Sequence, residues 1–256
     1  PQQAIERLKD RFPNMEVVAA REEDIPGRAR RDLRMIRVDT SLTAQAILDR
    51  HSQRRGRTIV VVNTVPRAME LYDELACLAP IKPLLIHSRF LRKDRNKKED
   101  EIKRVFGKDT QEQEAILVAT QVVEVGLDIS ADLLLTELSP IDSLIQRAGR
   151  CARWTRQDEA EQKGQVVVFD TEQPFPYDAK LVNDTRDALR DAIKDVSGQR
   201  LTWEMETRLV DTVLGEHYAQ FLDIQAAGRA VADMSQAAFY GDRRAASTAG
   251  RANDSV

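Results

Sequence analysis

The chain has 256 residues, of which 42% are hydrophobic and 32% are charged, which excludes a disordered or fibrous protein. That length predicts one domain with a sizeable appendage, or two small domains. No run approaches the ~18 apolar residues that a membrane span needs. The two cysteines, Cys77 and Cys151, exclude a disulfide scaffold and suit a reducing cytosol. The net charge of −3 argues against a nucleic-acid-binding protein as a whole, although a partner meets one face and not the sum.

Short apolar runs alternate with amphipathic segments through the first two thirds of the chain. Runs rich in β-branched residues favour buried strands, and apolar residues spaced by three and four favour helices. Thr64 is the predicted cap of one helix, with Pro66 in its first turn. In chain order the sequence predicts a strand at 34–38, a helix at 42–50, a strand at 58–63, the helix after Thr64, a strand at 84–87, a helix at 92–106, strands at 115–119 and 132–138, a helix at 141–151 and a strand at 165–169.

This alternation predicts an α/β fold with a parallel sheet that is covered by helices on both faces. No strand-like run follows Tyr177, and residues such as Leu209, Val213 and Leu222 predict an amphipathic helix there. The polar last residues are predicted to be disordered. In parallel sheets the functional residues lie in the loops that leave the carboxyl ends of the strands.

The predicted helix at 141–151 carries the segment QRAGRCAR, in which Arg147, Arg150 and Arg153 are spaced by three. On a helix they would share one side. Their guanidinium groups suit phosphate oxygens and could stabilise the charge that develops in phosphoryl transfer. A solvated helix with surface salt bridges is the alternative for the three arginines alone.

A second polar segment follows the buried strand at 115–119. Thr120 and Gln121 can hydrogen-bond a phosphate or a sugar, and Gly126 and Asp128 follow in a turn. Asp128 could accept a hydrogen bond from a ribose hydroxyl or could merely form the turn. His87 is followed by Ser88 and Arg89 after another strand, and no cluster has metal-ligand spacing, so the sequence predicts no metal site.

The order of these segments resembles the second RecA-like lobe of superfamily 2 helicases. TIVVVNTVPRAMELYDEL resembles motif IV, ILVATQVVEVGLDIS motif V and QRAGRCAR motif VI. More narrowly, residues 34–170, with LLIHSRFLRKDR and SPIDSLIQRAGRCARW, resemble the CRISPR-associated helicase–nuclease of type I interference systems. One departure is Gly126, where that family often has Ser and the wider superfamily has Gly.

The resemblance implies a domain organisation. Residues 1–33 would be an interlobe connector or the end of a first lobe. Residues 34–176 would be the second RecA-like lobe, and residues 177–256 a helical extension with a flexible tail.

The resemblance also implies roles for single residues in ATP and DNA binding. Arg150 and Arg153 would reach the terminal phosphates as arginine fingers, and Gln146 would contact the γ-phosphate or the attacking water. Other motif positions would contact the nucleotide or the nucleic acid. The nucleotide would be contacted by Gly126, Asp128 and Arg147, and the single strand by Thr64, Ser88, Arg89, Thr120 and Gln121.

Some parts of a complete motor are missing from the sequence. It has neither the glycine-rich loop with its lysine that cradles phosphates nor an acidic Mg²⁺-binding box, and it has no nuclease signature of the family. We therefore expect a chain that is inactive alone and hydrolyses ATP with Mg²⁺ held by a first lobe, in the same protein or a separate subunit. The resemblance further implies single-stranded DNA and a guide-RNA surveillance complex as partners, in the prokaryotic cytoplasm and without a membrane.

Two other functions stay open. The chain could be the matching lobe of another superfamily 2 DNA or RNA helicase, or a RecA-like docking module without catalysis. Residues 89–108 hold nine lysines and arginines against four acids, which suits a nucleic-acid interface or a solvated helix. Arg54, Arg55 and Arg57 precede a strand and are weaker candidates, because strand starts lie opposite the motif loops.

Overall fold

A computed structural model of the protein describes residues 2–18, 31–154 and 162–221. The chain divides into two compact units, Val18–Val213 on the one hand and Pro1–Val17 with Leu214–Val256 on the other. The predicted sheet belongs entirely to the first unit. Residues 19–30 of the predicted connector, and the part of the predicted helical extension and flexible tail from Leu222 onward, lie outside the described residues.

The described elements follow the predicted order closely. Strand β4 and helix α4 have the predicted bounds, whereas the helix predicted at 141–151 ends at Ala148. A short 3₁₀ helix, Gln121–Val123, follows β4. The elements are α1 (Gln2–Arg11), β1 (Arg31–Val38), α2 (Ala44–Arg54), β2 (Arg57–Val61), α3 (Val65–Leu78), β3 (Leu84–Ile86), α4 (Arg92–Phe106), β4 (Ala115–Ala119), β5 (Leu133–Glu137), α5 (Ile141–Ala148), β6 (Gln162–Phe169), α6 (Ala179–Ala192), β7 (Gln199–Arg200) and α7 (Trp203–Phe221).

The strands form one sheet in the order β3-β4-β2-β5-β6-β1-β7. Strands β1 to β6 pair in parallel, which confirms the predicted α/β fold, and β7 pairs antiparallel with β1. The prediction of no strand after Tyr177 is therefore wrong. Strand β7 has only two residues, both exposed, so it leaves no apolar pattern in the sequence. Strand β7 thus joins residues of the predicted helical extension to the same sheet.

Helices cover both faces of the sheet because successive strand residues point to opposite sides. All five residues of β2 are buried. Val60 packs with the apolar side of α2 and α3, through residues such as Ile47 and Leu71, while Ile59 and Val61 face the other side. Helix α4 packs against β3 and α5 against β5. No helix among the described residues is long and apolar enough to cross a membrane.

Arginines fix the amino-terminal edge of the sheet. Arg54 donates to the carbonyl oxygen of Lys163 over 2.7 Å. Arg57 is 5% exposed, with its Nε 3.6 Å from Oδ2 of Asp132. Both arginines thus tie strand starts together, opposite the motif loops.

A close approach at Gly164 of β6 fixes the segment that follows α5. A Cβ at this position would lie 2.5 Å from Cβ of Ala152 and 2.9 Å from Sγ of Cys151.

We expect Gly164→Ala to lower the free energy of unfolding by about 1–3 kcal/mol, as overpacked sites do. Urea denaturation measures this loss, and the neighbouring exposed Lys163→Ala should stay within about 0.5 kcal/mol of the parent protein. Equal urea midpoints for the parent protein, Gly164→Ala and Lys163→Ala would contradict the close packing.

Candidate nucleotide and nucleic-acid site

Asn63, which follows β2, ties together the loops at the carboxyl edge of the sheet. Its backbone N–H donates to Oε2 of Glu137 and its side-chain amide donates to the carbonyl oxygen of Leu138, both over 2.8 Å. Its carbonyl oxygen accepts from Nε2 of Gln121 over 2.8 Å. Three neighbouring strands therefore end in loops of fixed relative position.

Arg147 lies at the centre of this network and is 0% exposed. Its Nε donates to Oε1 of Glu124 over 2.8 Å, and Nη2 donates to the Tyr177 hydroxyl over 2.8 Å. Its Nη1 contacts Oγ1 of Thr136 at 2.8 Å and Oδ1 of Asn63 at 3.1 Å. Protein groups thus enclose the guanidinium that was predicted to contact the nucleotide, and this arrangement favours a positioning role.

The three arginines do not share one helix face, so that prediction is wrong. Helix α5 ends at Ala148, and the chain then turns so that Cys151 pairs with Ala131. Backbone bonds from Ala131 N to Arg150 O (2.9 Å) and from Ala152 N to Ala131 O (2.8 Å) hold this turn. Only Arg147 points from the helix into the protein, while Arg150 lies in the turn after the helix and Arg153 follows Cys151 and Ala152.

Arg150 and Arg153 are the accessible pair of cations. Arg150 donates from Nη2 to the carbonyl oxygen of Glu124 over 2.6 Å, and its Nε is buried without a hydrogen-bond partner among the described residues. Arg153 is 39% exposed and lies 3.3 Å from Asp128, which is 72% exposed. Burial, and then the charge of Arg153, lower the pKa of Arg150. An anion bound between the two guanidinium groups would relieve this repulsion.

The other predicted nucleotide contacts lie at the surface. Gly126 has a φ of +86°, in the left-handed region that favours glycine, and its position is exposed. Gln146 is exposed on α5, and Asp128, also exposed, pairs with Arg153 and acts by its charge on Arg150. Their roles stay predictions.

The predicted nucleic-acid contacts differ in accessibility. Ser88 and Arg89 are exposed, and Thr64 is half-buried, where its hydroxyl caps α3 by accepting from the N–H of Arg67. Thr120 is only 1% exposed, and the amide of Gln121 already donates within the protein. Burial therefore favours positioning roles for the last two residues.

A stacked ring pair supports the loop that carries Ser88 and Arg89. The rings of His87 and Phe90 lie 4.1 Å apart and nearly parallel, and Nζ of Lys98 lies 4.6 Å from the Phe90 ring centre. His87 Nδ1 accepts from the N–H of Arg89 over 3.2 Å. Burial, then the charges of Arg89 and Lys98, lower the pKa of His87. The neutral ring of His87 keeps Nδ1 as an acceptor. The basic residues of α4 follow this loop in the chain.

Sequence reasoning missed two members of the site, Glu124 and Tyr177. Glu124 is the one carboxylate inside the apolar stretch QVVEVG, and that isolation was a usable signal. Tyr177 carried no signal, because its contact with Arg147 arises from the path of the chain after β6. Within the described residues no group of three or more His, Cys, Asp or Glu side chains has the geometry of a metal site.

We expect Arg147→Met to lower the free energy of unfolding by about 3–5 kcal/mol, because it leaves Glu124 as an uncompensated buried charge. Arg153→Met is the matched control and should cost at most about 1 kcal/mol, since that ion pair is exposed. Urea denaturation measures both. The double variant Arg147→Met/Glu124→Gln should lose less free energy of unfolding than Arg147→Met alone. An equal loss in the two variants would contradict the ion pair.

Burial raises the pKa of Glu137, and hydrogen bonding by Asn63 and the charges of Arg67 and Arg147 only partly offset this effect. The folded state therefore holds the proton more tightly than the unfolded chain, whose glutamate titrates near about 4.3. We expect the contribution of this proton to stability to be complete below that pH and lost as the pH rises through the folded pKa. Glu137→Gln should lack this pH-dependent part of the stability, which urea midpoints across the pH range measure. Plots of midpoint against pH that run parallel for the parent and the variant would contradict the raised pKa.

Residues 54–156 match the family model described as CRISPR-associated nuclease/helicase Cas3, C-terminal. The CRISPR-associated helicase Cas3 of Thermoproteus tenax is 37% identical over 161 residues, which are 62% of this chain and 26% of the relative. A crystal structure of T. fusca Cas3 with ADP aligns with a TM-score of 0.60 and 25% identity over 95% of this chain and 28% of the other. A chain of a CRISPR RNA-guided surveillance complex in a pre-nicking state aligns with a TM-score of 0.59 and 26% identity over 81% of this chain and 28% of the other.

This chain therefore spans about a quarter of the length of these relatives. The matched segment contains all three motifs, from the strand before Asn63 to the arginines after α5. Its sheet carries those motifs at the carboxyl edge, as the sequence predicts. The chain is thus confirmed to resemble the second RecA-like lobe of the CRISPR-associated helicase–nucleases.

Proposed function

We propose that this chain is the second motor lobe of an ATP-dependent single-stranded DNA translocase or helicase that acts in CRISPR antiviral interference. The observation that carries the proposal is the pair Arg150 and Arg153, which follow α5, repel each other and both interact with the exposed carboxylate of Asp128. The buried Nε of Arg150 has no hydrogen-bond partner among the described residues. Such a pair suits the terminal phosphates of a nucleotide held on a first lobe.

In this function Arg150 and Arg153 stabilise the charge that develops on the terminal phosphate as arginine fingers. Gln146 orients the attacking water, and Gly126 and Asp128 lie beside the sugar. ATP bound with Mg²⁺ supplies the phosphoryl group whose transfer to water drives the motor. The first lobe, in the same protein or a separate subunit, holds the Mg²⁺. The structure of a relative with ADP supports nucleotide binding by this type of protein.

The DNA contacts form along the same edge of the sheet. Thr64, Ser88 and Arg89 contact the phosphates of the single strand, which positions the strand without reading its sequence. Thr120 and Gln121 keep the loop after β4 in place. Cycles of lobe closure then convert hydrolysis into steps along the strand. The partner is a guide-RNA surveillance complex in the prokaryotic cytoplasm, which a relative within such a complex supports.

The decisive experiment is Arg150→Ala in a protein that contains both lobes. We expect ATP turnover stimulated by single-stranded DNA to fall about 10³-fold or more, as loss of an arginine finger does. Binding of single-stranded DNA should persist, because Arg150 does not contact the strand. A coupled phosphate-release assay measures turnover.

The exposed Arg208→Ala on α7 is the matched control and should leave turnover unchanged. Unchanged turnover in Arg150→Ala would favour a docking module without catalysis. The 256-residue chain alone should hydrolyse no ATP with single-stranded DNA present, and activity of this chain alone would contradict the proposed division of the site between two lobes.

A further inference from the structure

A cavity of about 310 Å³ opens at the carboxyl edge of the sheet beside Thr64. Loops after β1, β2, β5 and β6 line it, through Ser41, Thr64, Glu137, Asp170 and Phe175 among others. Its volume lies at the lower end of the range of about 300–1,000 Å³ that small-molecule sites occupy. It therefore has room for one small ring system.

The lining is rich in hydrogen-bond acceptors. The lining holds one cation, Arg67, and four carboxylates, of Glu70, Glu137, Asp170 and Glu172, and Asp170 is also paired with Arg186 over 2.9 Å. Arg67 already bonds Glu70 and the carbonyl oxygen of Leu42. Such a lining disfavours a phosphate inside the cavity, though not at its rim beside Thr64, and suits a neutral group that donates hydrogen bonds inside it.

Glu137 brings to this lining an oxygen that forms a loose ion pair with Arg67 but no hydrogen bond among the described residues. Its Oε2 accepts from the N–H of Asn63, whereas Oε1 lies 3.7 Å from Nε of Arg67, beyond hydrogen-bond distance. The side chain is only 12% exposed, so a donor that reaches Oε1 does so away from bulk water. Carboxylates accept in this way from the amino group of cytosine.

Phe175 supplies an aromatic surface at the rim, where 71% of it is exposed. The segment that carries it is anchored on both sides. Arg186 donates to the carbonyl oxygen of Thr171 over 3.0 Å, and Arg147 donates to the hydroxyl of Tyr177 over 2.8 Å. Exposed rings held in this way are the surfaces on which proteins stack the bases of single strands.

We propose that this cavity is a nucleobase site, which takes one base of the single strand whose backbone crosses Thr64. The base stacks on Phe175 and donates its amino group to Glu137, so amino-bearing bases such as cytosine are preferred to thymine. This inference rests on the proposed function, because it uses the predicted path of the strand past Thr64.

The test compares two oligonucleotides of equal length, a cytosine homopolymer and a chain of abasic sites with the same backbone. Fluorescence anisotropy measures their binding to the 256-residue chain. We expect the parent protein to bind the cytosine oligomer about fivefold or more tightly than the abasic one, as one stacked base provides. Phe175→Ala should abolish this preference and leave the abasic affinity unchanged. Phe12→Ala, which alters another exposed phenylalanine (51%), should keep the preference.

Equal affinity of the parent protein for the two oligonucleotides would overturn the nucleobase site while the proposed backbone contacts stand. An equal loss of both affinities in Phe175→Ala would also overturn it. Binding of neither oligonucleotide would contradict the DNA contacts of the proposed function, and the base site with them. Glu137→Gln, which replaces the acceptor by an amide, should reduce the preference for cytosine over a thymine homopolymer. An unchanged preference would overturn the contact with Glu137.

Discussion

The geometry of the candidate site depends on the buried ion pair between Arg147 and Glu124. Burial of two charges costs several kcal/mol unless the pair is well aligned and its remaining donors are bonded. Here Thr136, Asn63 and the Tyr177 hydroxyl take up those donors. The pair therefore adds little net stability, but it fixes the relative positions of five chain segments because a displaced partner leaves a buried charge unpaired.

The accessible arginines obtain their positions from this network. The carboxylate of Glu124 binds Arg147, and the backbone carbonyl oxygen of Glu124 accepts from Arg150. This one residue of the loop after β4 therefore positions both Arg147 and Arg150. The N–H of Arg153 donates to Oγ of Ser130 over 2.9 Å. Two guanidinium groups that repel each other are thus presented from fixed backbone, and no flexible loop has to be ordered when an anion binds. This rigidity distinguishes an anion site from two adjacent surface arginines.

The sequence predicted the order and type of the sheet elements well, because buried parallel strands leave continuous β-branched runs. It failed where structure depends on few residues or on distant contacts. Strand β7 is too short to leave a pattern, and the end of α5 at Ala148 depends on the pairing of Cys151 with Ala131. The arginine spacing identified the candidate site, but only the three-dimensional path separates buried Arg147 from the two accessible arginines. Phe175 became a candidate for base stacking only because the folded chain places it at the rim of the cavity.

The exposed ion pair between Arg153 and Asp128 fits a site that this lobe shares with a first lobe. Pairs of this exposure contribute at most about 1 kcal/mol, so exchange of the carboxylate for a phosphate costs Arg153 little. Released from Arg153, Asp128 becomes free to accept from the sugar of the same nucleotide, as the proposed function requires. Arg150 keeps its hydrogen bond to the carbonyl oxygen of Glu124, which holds it near Arg153. Lobe closure would then re-pair one weak contact at the surface, while the buried network that positions both arginines stays intact.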